Sequence, residues 1–294
     1  MYHPDAAAWS NAPNRRVALF GMSGLGKTHV ADMLRSTGQW FHYSVDYRIG
    51  TRYMGEHIVD NFKREAMKVP FLAGLLRSDS IYIGSNITFE NLDPLSTYLG
   101  KPGDPARGGI DIAEYCRRQE QHRAAEVASL IDAVHFANRA QDIYGYPHFV
   151  CDTGGSICEV VDPDDPDDPV LAALTNAMLL VWIRGTQDHV DELCRRFDRQ
   201  PKPMYYRPEE LAHNWVDWLE RTGDAPDAVD PDAFIRFSYR RVIETRQARY
   251  EAMARRGVSV TAEEVYALRS AADFDALVAE ALERRTLASP AATA

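Results

Sequence analysis

The chain has 294 residues, enough for one large α/β domain or one domain carrying a substantial insertion. Its 45% hydrophobic and 26% charged content is that of a globular protein, and no apolar run approaches the ~20 residues a bilayer span needs. A net charge of −10 argues against nucleic acid or an anionic membrane as general partners, and four cysteines without C-x-x-C spacing read as reduced thiols in a cytoplasmic protein.

Residues 1–14 are polar and rich in Ala, Pro and Asn, without the charged-then-apolar order of a signal peptide, so they read as a flexible tail. Residues 286–294 read the same way. Val17-Ala18-Leu19-Phe20 is a short apolar run expected to be a buried strand, followed at once by a glycine-rich loop and a helix from Lys27 to about Ser36. A second run, Trp40 to Val45, ends at Asp46. Residues 51–148 then break the strand–helix alternation. Within them Leu92 to Gly109, rich in Pro and Gly, reads as loop, and Asp111 to Tyr144 carries apolar residues at helical spacing. This insertion is expected to form a helical cap that binds an acceptor.

Phe149-Val150-Cys151 is a third strand ending at Asp152. The run Asp162 to Pro169 is acidic and proline-broken. It lacks the glycine and terminal glutamate of a calcium loop and reads as a solvated connection. Leu179 to Ile183 is a fourth strand, with a helix from Gln187 to Phe197 after it. A long helix over Phe234 to Arg256, a fifth strand at Val258 to Val260 and a closing helix over Ala272 to Arg284 complete the pattern. Strands separated by helices imply an α/β fold with a parallel sheet of about five strands flanked by helices. Residues 15–50 and 149–285 form its nucleotide-binding core.

The loop Gly21-Met22-Ser23-Gly24-Leu25-Gly26-Lys27-Thr28 is a P-loop by spacing, and its place between strand and helix makes it a site. Its main-chain N–H groups, with His29 on the helix behind, would hold the phosphates of ATP. Lys27 would reach the β- and γ-phosphates and Thr28 would place its hydroxyl on Mg²⁺. Asp46 and Asp152 end strands, where ligands of α/β sheets bind. One carboxylate suits Mg²⁺ and the other an attacking hydroxyl, against the plainer reading of helix caps. Arg48 and Arg52 after Asp46, and Gly154-Gly155 after Asp152, are acceptor-side candidates. Arg196 and Arg199, in the basic stretch Arg195 to Pro203, would close over the phosphates as a lid. Lys63, Arg64, Tyr205, Tyr206, His122, His135, Trp215 and Trp218 read as surface or core. The absence of an Asn/Thr-Lys-x-Asp motif favours ATP over GTP.

Taken in order, the P-loop, the strand ending at Asp46, the Gly154-Gly155 turn and the Arg195–Pro203 segment resemble the shikimate kinase-like and gluconate kinase-like branch of P-loop kinases. Arg246 to Tyr250 and Val258 to Val260 are similar to that branch's final helix and strand. The whole chain also resembles bacterial proteins labelled only as predicted ATPases. The kinase resemblance implies a P-loop NTPase sheet with the strands in kinase-like order, and that Asp46 orients or deprotonates the acceptor hydroxyl. It also implies an acidic residue two positions earlier as a metal ligand. Here that position is Ser44, so Mg²⁺ is expected to rest on Thr28 and Asp152. Residues 51–148 do not resemble a shikimate-binding domain. Two functions follow as expectations. One is a phosphotransferase acting on a small-molecule hydroxyl acceptor. The other is an ATP-hydrolysing regulatory protein whose insertion docks a protein partner.

Overall fold

A computed structural model of the protein describes residues 2–288. Five strands, β1 (Arg16–Phe20), β2 (Trp40–Ser44), β3 (His148–Asp152), β4 (Leu179–Arg184) and β5 (Val258–Thr261), form one parallel sheet in the order β2-β3-β1-β4-β5. The register sets Leu19 of β1 beside Asp152 of β3 and Val181 of β4. Val17, Leu19 and Val181 are wholly buried. Burial of each such side chain contributes roughly 1.5–3 kcal/mol, which is why these runs carry no polar face.

The chain divides into two compact units. The first comprises the residues up to Val45, Leu130–Arg196 and those from Arg240 onward, and it holds the whole sheet. The second comprises Asp46–Ser129 and Phe197–Tyr239. The division therefore runs through the single helix Ile112–Asp142 instead of falling at residues 51 and 148. Beyond Leu130 that helix packs on the sheet: Phe136 meets Phe41 and Tyr43 of β2 at 6.4 and 5.2 Å between ring centroids. The second unit gains Phe197–Tyr239 through its own bonds. Gln119 donates to the Met204 carbonyl and accepts from the Tyr206 amide, both at 2.9 Å, and Lys101 pairs with Asp232 at 2.5 Å.

Several elements depart from the sequence pattern. β2 stops at Ser44, and Asp46 lies in the first turn of a short helix, Val45–Arg48. The stretch expected as loop contains the helix Asp93–Leu99, opened by proline in its first turn. Helices Pro169–Ala177 and Pro208–Thr222 also start on proline, a residue that punctuates loops as often as it starts helices. The basic stretch is helical through Arg199. The amino-terminal tail expectation is overturned. Asp5 caps a helix, Ala6–Ser10, by accepting from the Ala8 amide at 2.7 Å, and Trp9 is wholly buried. Its indole donates to the Asp275 carbonyl at 3.0 Å and meets Phe274 edge-on. At the other end, the helix Ala271–Ala288 takes in residues 286–288, and the rest of that expected tail lies outside the described residues.

Candidate active site

The P-loop leaves the carboxyl end of β1 and enters the helix Lys27–Ser36, with Gly26 at the N-cap. Gly26 has φ +95, and a Cβ there would come within 2.9 Å of Val265, so the conformation and the space both require glycine. Gly21 is fixed by approach: its Cβ would lie 2.5 Å from the Ile183 carbonyl oxygen. No side chain caps the helix, so its first amides remain turned toward the loop.

Lys27 is buried, and its ammonium donates to the Gly21 and Met22 carbonyls, both at 2.9 Å. A buried ammonium needs such acceptors, and this pair holds it inside the ring of the loop. Thr28 donates its hydroxyl to Asp152 Oδ2 at 2.7 Å, joining the P-loop helix to the end of β3. The other carboxylate oxygen of Asp152 accepts from the Gly154 amide at 3.3 Å. Gly155 lies against the loop, since a Cβ there would be 2.9 Å from Ser23 Oγ.

Arg196 stands beside the loop too. Its Nη1 is 3.7 Å from where a Gly24 Cβ would be. Ser23, Gly24, Thr28 and His29 are exposed, whereas Leu25 is buried beneath the loop. Of the remaining sequence candidates, Asp46, Arg48, Arg52 and Arg199 belong to the second unit. There Arg48 lies over the Tyr53 ring, 5.8 Å from its centroid. Asp46 follows two residues after Ser44, whose register partner in the sheet is Asp152.

Two supports of the loop were not read from the sequence. Tyr266 donates its hydroxyl to the Gly24 carbonyl at 2.5 Å, from a helix opened by the capping box Thr261 and Glu264. That box, directly after a strand, was the available signal. The second support is Glu159, wholly buried. It pairs with Arg246 at 2.7 Å and Arg249 at 2.5 Å, while Arg246 and Tyr250 both donate to the Gly155 carbonyl, at 3.1 and 2.5 Å.

A five-stranded parallel sheet in this order, with the glycine loop leaving its central strand and an aspartate ending the next, decides the architecture. The fold is P-loop kinase-like. No protein-family model matches the chain, and no curated protein matches it. A solved structure, shikimate kinase from Bacteroides thetaiotaomicron, is similar over 92% of this chain and 95% of that one, at 15% identity and a TM-score of 0.35. No helix among the described residues is long and apolar enough to cross a membrane.

For a divalent cation, the relevant donors are Thr28 Oγ1 and Asp152 Oδ2, two hard oxygens in mutual contact at the mouth of the loop. Mg²⁺ keeps several waters and takes one or two protein oxygens together with phosphates, so this pair fits it.

Proposed function

We propose that the protein is an ATP-dependent phosphotransferase that moves the γ-phosphate to a small-molecule hydroxyl acceptor. The observation that carries the reading is Lys27, buried at the head of an uncapped helix and ringed by loop carbonyls, beside the Thr28–Asp152 contact. A polyphosphate would draw the ammonium from those carbonyls and accept from the amides of the first helical turn. Thr28 and Asp152 would hold Mg²⁺, which when bound neutralises phosphate charge. Arg196, beside Gly24, adds a further cation on the phosphate side. The proposed role of Asp46 is to orient the acceptor hydroxyl and take its proton, and it rests on the position just past β2. Arg199 as a second lid cation, and Arg48, Arg52, Gly154 and Gly155 as acceptor contacts, stay part of the proposal.

The test follows γ-phosphate label from ATP into a metabolite pool. Lys27→Ala should lower label transfer on the order of 10²-fold or more. Asp46→Asn should abolish transfer while leaving ATP affinity within a few-fold. Equal loss of binding and transfer in Asp46→Asn overturns its acceptor role.

One observation favours a second reading, an ATP-hydrolysing regulatory protein. Within the second unit Met67, Val69, Phe71 and Tyr82 are exposed by 37, 47, 73 and 92%, a density of bare apolar side chains that suits protein docking. Under that reading no metabolite takes the label, and hydrolysis rises only when a protein partner is added.

A further inference from the structure

Away from the P-loop, the first unit has a cleft of about 480 Å³ along β5. β5 ends the sheet order and is hydrogen-bonded to β4 on one side only, so the cleft borders a sheet edge. Arg184 ends β4, Arg255 precedes β5, and Arg284 and Arg285 come from the closing helix; all four line the cleft. Glu264 is its one carboxylate, and no aromatic ring lines it. The lining holds four guanidinium groups and one carboxylate, with Asp5 close enough to attract Arg285, on a chain of net −10.

The four cations are not equally engaged. Arg284 pairs with Glu264 at 2.5 Å, and Arg285 donates to the carbonyls of Gly257 and Pro4. The guanidinium groups of Arg184 and Arg255 have no hydrogen bond or ion pair among the described residues. Cations gathered in one recess repel one another, and a bound anion relieves that cost. Guanidinium forks match phosphate oxygens two at a time, and Ser259 and Thr261 add hydroxyls along the strand. The volume suits a small molecule, and the lack of an aromatic wall removes the stacking surface a nucleotide base would use.

We propose that this cleft is a second binding site, separate from the P-loop, for a small polyanion bearing two or more phosphate groups. It does not depend on the phosphotransferase reading.

Pyrophosphate is the probe, measured by titration calorimetry on the full chain. Lys27→Ala weakens capture at the P-loop and should leave one pyrophosphate site. Adding Arg184→Ala and Arg255→Ala should weaken that remaining site at least tenfold, and its affinity should fall as salt rises. Arg184→Ala/Arg255→Ala without the lysine change should bind ATP as the parent does. The proposal is overturned if the Lys27→Ala protein binds no pyrophosphate, or binds it equally well without the two arginines. Failure of ATP to bind the parent protein would sink the P-loop reading and leave this one standing.

Discussion

The Glu159 side chain is shut away from solvent, and Arg246 and Arg249 pair with its carboxylate there in place of water. Burial works against the charge of Arg246, but the attraction of Glu159 outweighs it and the guanidinium is held more firmly protonated than usual. The neighbouring Cys158 thiol is pushed up to about 12, chiefly by burial, and is inert at neutral pH. The cluster also braces the Gly155 carbonyl, so it joins stability to the shape of the turn beside Ser23. Arg246→Leu would strip the buried Glu159 carboxylate of a guanidinium partner. Denaturant titration should record a loss of about 3–5 kcal/mol, the range found for breaking a buried ion pair. A change under 1 kcal/mol would mean that the contacts left to Glu159 suffice without Arg246.

Among the elements, the short amino-terminal helix carries a large effect for its size. Ala6–Ser10 cannot persist on propensity, because isolated helices of this length are unstable in water. Trp9 holds it in place, wedged against Phe274 and bonded to the Asp275 carbonyl, while Arg15 lies 5.5 Å from the Trp9 ring centroid and pairs with Asp275 at 3.2 Å. Trp9→Ala should therefore cost about 3–5 kcal/mol, read from the shift in unfolding midpoint, although the residue is far in sequence from its partners. Deleting residues 2–12 should reproduce the loss; full stability in the deletion would show the contact to be incidental. The helix Ala262–Ala267 illustrates a different coupling: its capping box fixes the angle at which Val265 and Tyr266 reach the P-loop.

For the molecule as a whole, pH acts through buried imidazoles. His122 in the second unit is buried, and loss of hydration brings its pKa to about 4. His3 in the first unit is brought to about 4 by burial, then by Arg15 and Arg16. Both native rings stay neutral where the unfolded chain binds a proton, so between pH 6.5 and 4 the unfolded state gains protons and stability falls with pH. For His122 alone the loss from pH 7 to pH 5 is roughly 2 kcal/mol. Urea titrations at the two values should record it within the total, and His122→Gln should reduce the difference by about that amount while His3 keeps its share. An unchanged slope in that variant would assign the pH dependence elsewhere.

The sequence alone determined what is local. Four apolar residues, a glycine spacing and a following helix specify strand, loop and helix, because backbone conformation there depends on neighbours a few positions away. Repeating the pattern led to a parallel sheet. No local pattern contains the order β2-β3-β1-β4-β5; it was expected only through the kinase resemblance, and the structure has it. Chain distance hid the rest. Tyr266 meets Gly24 across 242 positions, and Arg246 meets Glu159 across 87, so no window of sequence contains either pair. Trp9 stands in a polar stretch that holds none of its partners; Phe274 and Asp275, far along the chain, supply its site. The arginines of the β5 cleft are scattered from 184 to 285, so no stretch of sequence gathers them. Burial and convergence belong to residues brought together by packing, and tertiary structure alone decides which residues those are.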